Sequence, residues 1–83
     1  MIVLDMVRQA VASVAQGPVP TDPSASLFAE GIIDSFAVVE LVAHIEERFR
    51  IKVPDEDMIP SKFETLEKIT AYVESRTSRQ ETR

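Results

Sequence analysis

At 83 residues the chain has room for one domain, and so small a domain buries only about 60 to 65% of its unfolded surface, so every apolar helix face has to be used. The 14 acidic residues against 9 basic ones give a net charge of −5, which argues against nucleic acid and anionic membranes as partners and for basic ones. Cysteine is absent, which excludes a disulfide framework and a Cys-ligated metal, and any reactive thiol must be imported.

The first ten residues, MIVLDMVRQA, have no cationic lead-in and are interrupted by Asp5 and Arg8. They read as neither a signal peptide nor a membrane span, and a cytoplasmic monomer is expected. From Ile2 to Ala15 the apolar residues Val3, Val7, Ala10, Val11 and Val14 are spaced for one buried stripe, so this segment is predicted to be a first helix. Its stop is Gln16-Gly17-Pro18, a glycine followed by a proline that cannot continue the helix. From Pro18 to about Ile33 prolines and small polar residues predict a long ordered loop, anchored by Leu27, Phe28, Ile32 and Ile33.

The stretch EGIIDSFAVVELVAHIEERF, Glu30 to Phe49, contains the longest amphipathic helix. Val38, Leu41, Val42, Ile45 and Phe49 fall into a core stripe at about 100° per residue. On the other side lie Phe36, Glu40, Ala43, His44 and Glu47, with Phe36 and Val39 given no reason to be buried. The helix begins at Asp34-Ser35, either of which can cap its free amides, and an ordinary cap accounts for the string by itself. Beyond Phe49, Ile51 and Val53 alternate like a strand, but with no second strand to pair they are expected to plug the core from a connector. Pro54 to Ile59 is predicted as a short acidic helix ended by Pro60. The last helix is expected from about Thr65 to Ser75, with Leu66, Ile69, Tyr72 and Val73 inward, and the polar string 77–83 as a disordered tail after a domain spanning 1–76.

The acid is concentrated around Ser35: Glu30, Asp34, Glu40, Glu46, Glu47, Asp55, Glu56 and Asp57 stand against Arg48, Arg50 and Lys52. Such a run is as often just a solvated face. Ser35 is not set up as a nucleophile. The only histidine, His44, is nine residues along the same helix, about 13 Å of rise and half a turn away. With no glycine-rich phosphate loop and no metal-ligand spacing, the chain is expected to be a substrate of enzymes and not an enzyme itself.

From Glu30 to Glu56 the residues Gly31-Ile32-Ile33-Asp34-Ser35-Phe36, Val39-Glu40-Leu41-Val42, Ile45-Glu46-Glu47-Arg48-Phe49 and Ile51-Lys52-Val53-Pro54-Asp55-Glu56 together resemble the acyl carrier protein family, including its peptidyl and D-alanyl carriers. The resemblance implies an all-α, small four-helix bundle of three main helices plus one short one, with the long loop after the first helix. It implies that Ser35 carries a 4'-phosphopantetheine arm derived from coenzyme A, with acyl or aminoacyl cargo held as thioesters, and that Asp34 assists attachment. The partners it implies are a phosphopantetheinyl transferase, an adenylating enzyme that loads the cargo, and downstream acyltransferases, synthases or condensing enzymes. By the same resemblance Phe36, Val39, Glu40, Ala43, Glu46, Glu47, Asp57 and Met58 are the candidate partner contacts. Phe36 in place of the usual leucine, and Ile32-Ile33 before Asp34, look more like D-alanyl and other pathway-dedicated carriers than like the housekeeping fatty-acid carrier. The alternative is a carrier-like interaction subunit that is never modified.

Overall fold

Helices α1 (Ile2–Val14), α2 (Ser35–Phe49) and α3 (Leu66–Glu81) form the chain in a computed structural model that describes residues 2–81, with side chains for 3–77. Each helix buries most of the stripe its spacing dictates, with Val3, Val14, Phe49 and Tyr72 half-buried against the core. Val7, Ala10 and Val11 of α1 meet Ala37, Val38, Leu41, Val42 and Ile45 of α2 and Leu66, Ile69 and Val73 of α3 in one core. The Cα radius of gyration is 11.8 Å, which is what a close-packed chain of this length has, about 2.2 times the 0.38 power of residue number. Helix α1 packs on both partners, whereas α2 and α3 touch each other less.

The connectors complete that core. Leu27, Ile32 and Ile33 from the long loop, Ile51 and Val53 after α2, and Phe63 before α3 are all buried. Among the described residues no strand forms, and Ile51 and Val53 act as core plugs, as their lack of a pairing partner requires. The loop is tied at several points. Arg8 donates to the Pro20 carbonyl at 2.6 Å, Leu27 N to the Glu64 carbonyl at 2.7 Å, and Glu67 N to the Pro23 carbonyl at 3.0 Å. Asp22 accepts from both the amide and the hydroxyl of Ser24, and these bonds hold its carboxyl below the usual range.

Two elements differ from expectation. The short acidic helix expected over Pro54 to Ile59 is a single 3-10 turn, Asp55–Asp57, and a second such turn, Pro60–Lys62, follows it. Pro60 ends the first pattern but also opens the second, since a proline at the first helical position sacrifices no hydrogen bond. Helix α3 begins as expected, with Thr65 Oγ1 accepting from Lys68 N at 3.0 Å, but continues past Ser75 to Glu81. Neither glycine nor proline interrupts Leu66 to Glu81, so nothing in the backbone breaks the ladder once the apolar face has ended. The end of the expected tail, residues 82 and 83, lies outside the described residues.

Candidate functional site

The site is built from a turn that aims the chain into α2. Residues Ser26 to Gly31 make one helical turn closed by a pair of bonds, Ile32 N to Leu27 O at 2.9 Å and Gly31 N to Phe28 O at 3.0 Å. That pairing needs a left-handed residue at its end. Gly31 supplies it with φ 73°, while Leu27 and Ile32 meet as the apolar contact that accompanies such caps. The chain then extends through Ile32 and Ile33, both buried, and releases Asp34 and Ser35 to the surface.

Asp34 is the residue that caps α2. Its backbone is extended, φ −128° and ψ −173°, and its Oδ1 accepts from Ala37 N at 2.9 Å. Its second oxygen accepts from Gln16 Nε2 at 3.2 Å. With the cap assigned to Asp34, Ser35 is left as the first helical residue with an exposed side chain and a hydroxyl that holds no intramolecular bond among those formed here. The first-turn amides of Ser35 and Phe36 have no intrahelical acceptor, and the positive end of the helix dipole lies at the same point. An attached phosphate group fits there: it meets free donors, a favourable field and no steric wall.

Along α2 from Ser35, the spacing of Phe36, Val39, Glu40, Ala43 and Glu47 puts them on one face, and all are exposed, Phe36 at 85% and Val39 at 57%. Two large apolar side chains left in water one turn apart, flanked by carboxylates, are what a docking surface needs and a solvated face does not. The other three candidates have intramolecular tasks. Glu46 is half-buried, and its Oε2 accepts from Val53 N at 2.8 Å, clasping the connector back onto α2. Asp57 accepts from the Tyr72 hydroxyl at 2.7 Å and lies 3.8 Å from Lys62 Nζ. Met58 packs against the core. Burial of Tyr72 first, and then its bond to Asp57, pushes its hydroxyl up to about 12. That bond fastens the first 3-10 turn to α3, beside an edge-on contact between the Phe63 and Tyr72 rings at 5.7 Å. Periodicity had no means of finding these holds, because each depends on how a connector folds back onto a helix.

A family described as "Phosphopantetheine attachment site" matches residues 5–73. The chain is similar to D-alanyl carrier protein 2 of Lactiplantibacillus plantarum, 36% identical over 78 residues that span 89% of this chain and 98% of that one. It is also 36% identical to the D-alanyl carrier protein of Lactococcus lactis over 56 residues, 68% of this chain and 71% of that one. With the acyl carrier protein of Helicobacter hepaticus it shares 45% identity over 42 residues, 51% of this chain and 53% of the other. The chain is therefore a member of the acyl carrier protein family of phosphopantetheine-binding carriers, and 4'-phosphopantetheine is its prosthetic group.

Proposed function

We propose that Ser35 is the attachment residue and that the protein carries aminoacyl or small acyl groups between enzymes. The observation that supports this most is the free hydroxyl at the first residue of α2, separated from the capping task by Asp34. When bound, the prosthetic group supplies a terminal thiol that holds cargo as a thioester. In attachment, the Ser35 oxygen bonds to the pantetheine-side phosphorus of coenzyme A, the nucleotide half leaves, and the hydroxyl proton passes to a base brought by the transferase. The chain needs no base of its own for this. Its part is to keep Ser35 in one place, to offer the resulting phosphodiester the amides of the first turn, and to direct the Asp34 carboxylate beside the reacting hydroxyl.

The face of Phe36, Val39, Glu40, Ala43 and Glu47 is the docking surface for the transferase, the loading adenylating enzyme and the downstream acyltransferase or condensing enzymes. Glu46 and Asp57 can join it through the carboxylate lone pairs their internal bonds leave open, and Met58 through the part of its side chain not packed on the core. Acidic rim charges raise encounter rates with basic partners more than they tighten the complex, which suits a carrier that has to leave each enzyme quickly. The D-alanyl carriers among its relatives favour an aminoacyl cargo. Incubation of the pantetheinylated protein with ATP, D-alanine and a D-alanine-adenylating enzyme tests this. The expected product is a hydroxylamine-labile D-alanyl thioester, absent from Ser35→Ala; a protein that refuses D-alanine but accepts fatty acyl groups would reverse the cargo assignment.

A further inference from the structure

Gln16, two residues past the end of α1, reaches the residue that caps α2. Gln16 donates its main-chain amide to the Ile32 carbonyl at 2.9 Å and its side-chain Nε2 to Asp34 Oδ2 at 3.2 Å. Oδ1 of the same carboxylate is held by Ala37 N at 2.9 Å. A single cap bond fixes one oxygen and lets the carboxylate swing about it. A second donor on the other oxygen fixes the plane. A carboxylate offers about four lone-pair sites, so with two satisfied internally the others stay open on the exposed side next to Ser35.

We propose that Gln16 is a positioning residue for the modification of Ser35, a role that rests on the carrier reading above. It holds the Asp34 carboxylate in the one orientation that caps α2 and at the same time presents its open lone pairs to the donor or cation an outside transferase brings. Two features make the arrangement specific. The main-chain bond to Ile32 sets Gln16 beside the 32–34 segment whatever its side chain does, so the carboxamide has a short, fixed reach. Gln16 is also exposed, so its side chain is not needed to fill the core.

Gln16→Ala and Gln16→Met, the second close in length but without the amide, are compared with wild type. Both keep the Ile32 bond and the core, and both are expected to fold. The amide hydrogen of Ala37 exchanges about two- to tenfold faster in each, the range one hydrogen bond is worth. The kcat for pantetheinyl transfer from coenzyme A falls by about the same factor, with KM for the carrier unchanged. In an Asp34→Ala background, Gln16→Ala adds no further loss, because the acceptor is gone. A Gln16→Ala protein modified at the wild-type rate overturns the proposal alone and leaves the carrier reading intact. So does an equal loss in the Asp34→Ala background, or a change confined to KM, which would mark Gln16 as a contact for the transferase. A wild-type protein that stays at its unmodified mass overturns the carrier reading, and this proposal with it.

Discussion

Asp34 caps α2, and under the proposed function it also assists attachment at Ser35; substitution can separate the two. In Asp34→Ala the cap bond to Ala37 N is lost at a cost of about 1 kcal/mol, and the negative charge at the start of α2 goes with it, about 0.5 kcal/mol more. The total is about 1.5 kcal/mol, or about 6 to 12 °C in Tm for a domain of this size. Asp34→Asn retains a capping oxygen but loses the charge, and like Asp34→Ala it loses the exposed acceptor for Gln16 Nε2; that bond therefore cancels from the comparison, and Asn lies above Ala by the cap alone, about 1 kcal/mol or about 4 to 8 °C. Thermal unfolding followed by circular dichroism gives the first ranking, wild type above Asn above Ala. Transferase kinetics give the second: Asp34→Asn, although folded, is modified more slowly because the carboxylate beside Ser35 has become an amide. Equal melting points for Asn and Ala would refute the cap. An Asp34→Asn protein modified at the wild-type rate would refute any part for the charge in attachment.

Three further outcomes follow from the holds outside α2's first turn. Glu46→Ala strands the buried Val53 amide and costs about 1 to 2 kcal/mol in urea unfolding, whereas Glu46→Gln costs less than half of that; equal, negligible losses would contradict the clasp. Arg50 closes α2 in the left-handed region, φ 56° and ψ 47°, where a Cβ is penalised. Arg50→Gly is therefore expected to raise stability by about 0.5 to 1 kcal/mol after the added freedom of the unfolded chain is discounted, and a lower Tm would count against it. Tyr72 is the single tyrosine and tryptophan is absent, so alkaline absorbance titrates it alone. Its hydroxyl ionises near 12 instead of 10; because the folded value is the higher one, its stabilising contribution is complete below about 10 and disappears as pH rises towards 12. A midpoint near 10 would show that neither burial nor Asp57 acts on it.

Much of the architecture was readable because it rests on periodicity. The stripes of α1 and α2 and the exposure of Phe36 and Val39 all follow from residues spaced at three and four. Ala37 was missed from the core face, since a small side chain carries little signal, and Phe49 turns out half-buried at the end of its stripe. The choice between Asp34 and Ser35 as cap stayed open in the sequence because both are good caps; only the bond to Ala37 N decides it, and that decision is what frees the serine. Glu46 was expected only as a partner contact, by the family resemblance. Its bond to Val53 N depends on how the connector folds back, which no local pattern encodes. The same holds for Tyr72 with Asp57 and for Gln16 with Asp34, pairs far apart in the chain and joined only by the tertiary fold.

Ser35 as the single point of attachment is most directly tested by intact mass after incubation with coenzyme A and a broad-specificity phosphopantetheinyl transferase. Wild type should gain one phosphopantetheinyl group and Ser35→Ala none, with both proteins equally folded. A wild-type protein that stays unmodified, or a Ser35→Ala protein that gains the same group elsewhere, would contradict it.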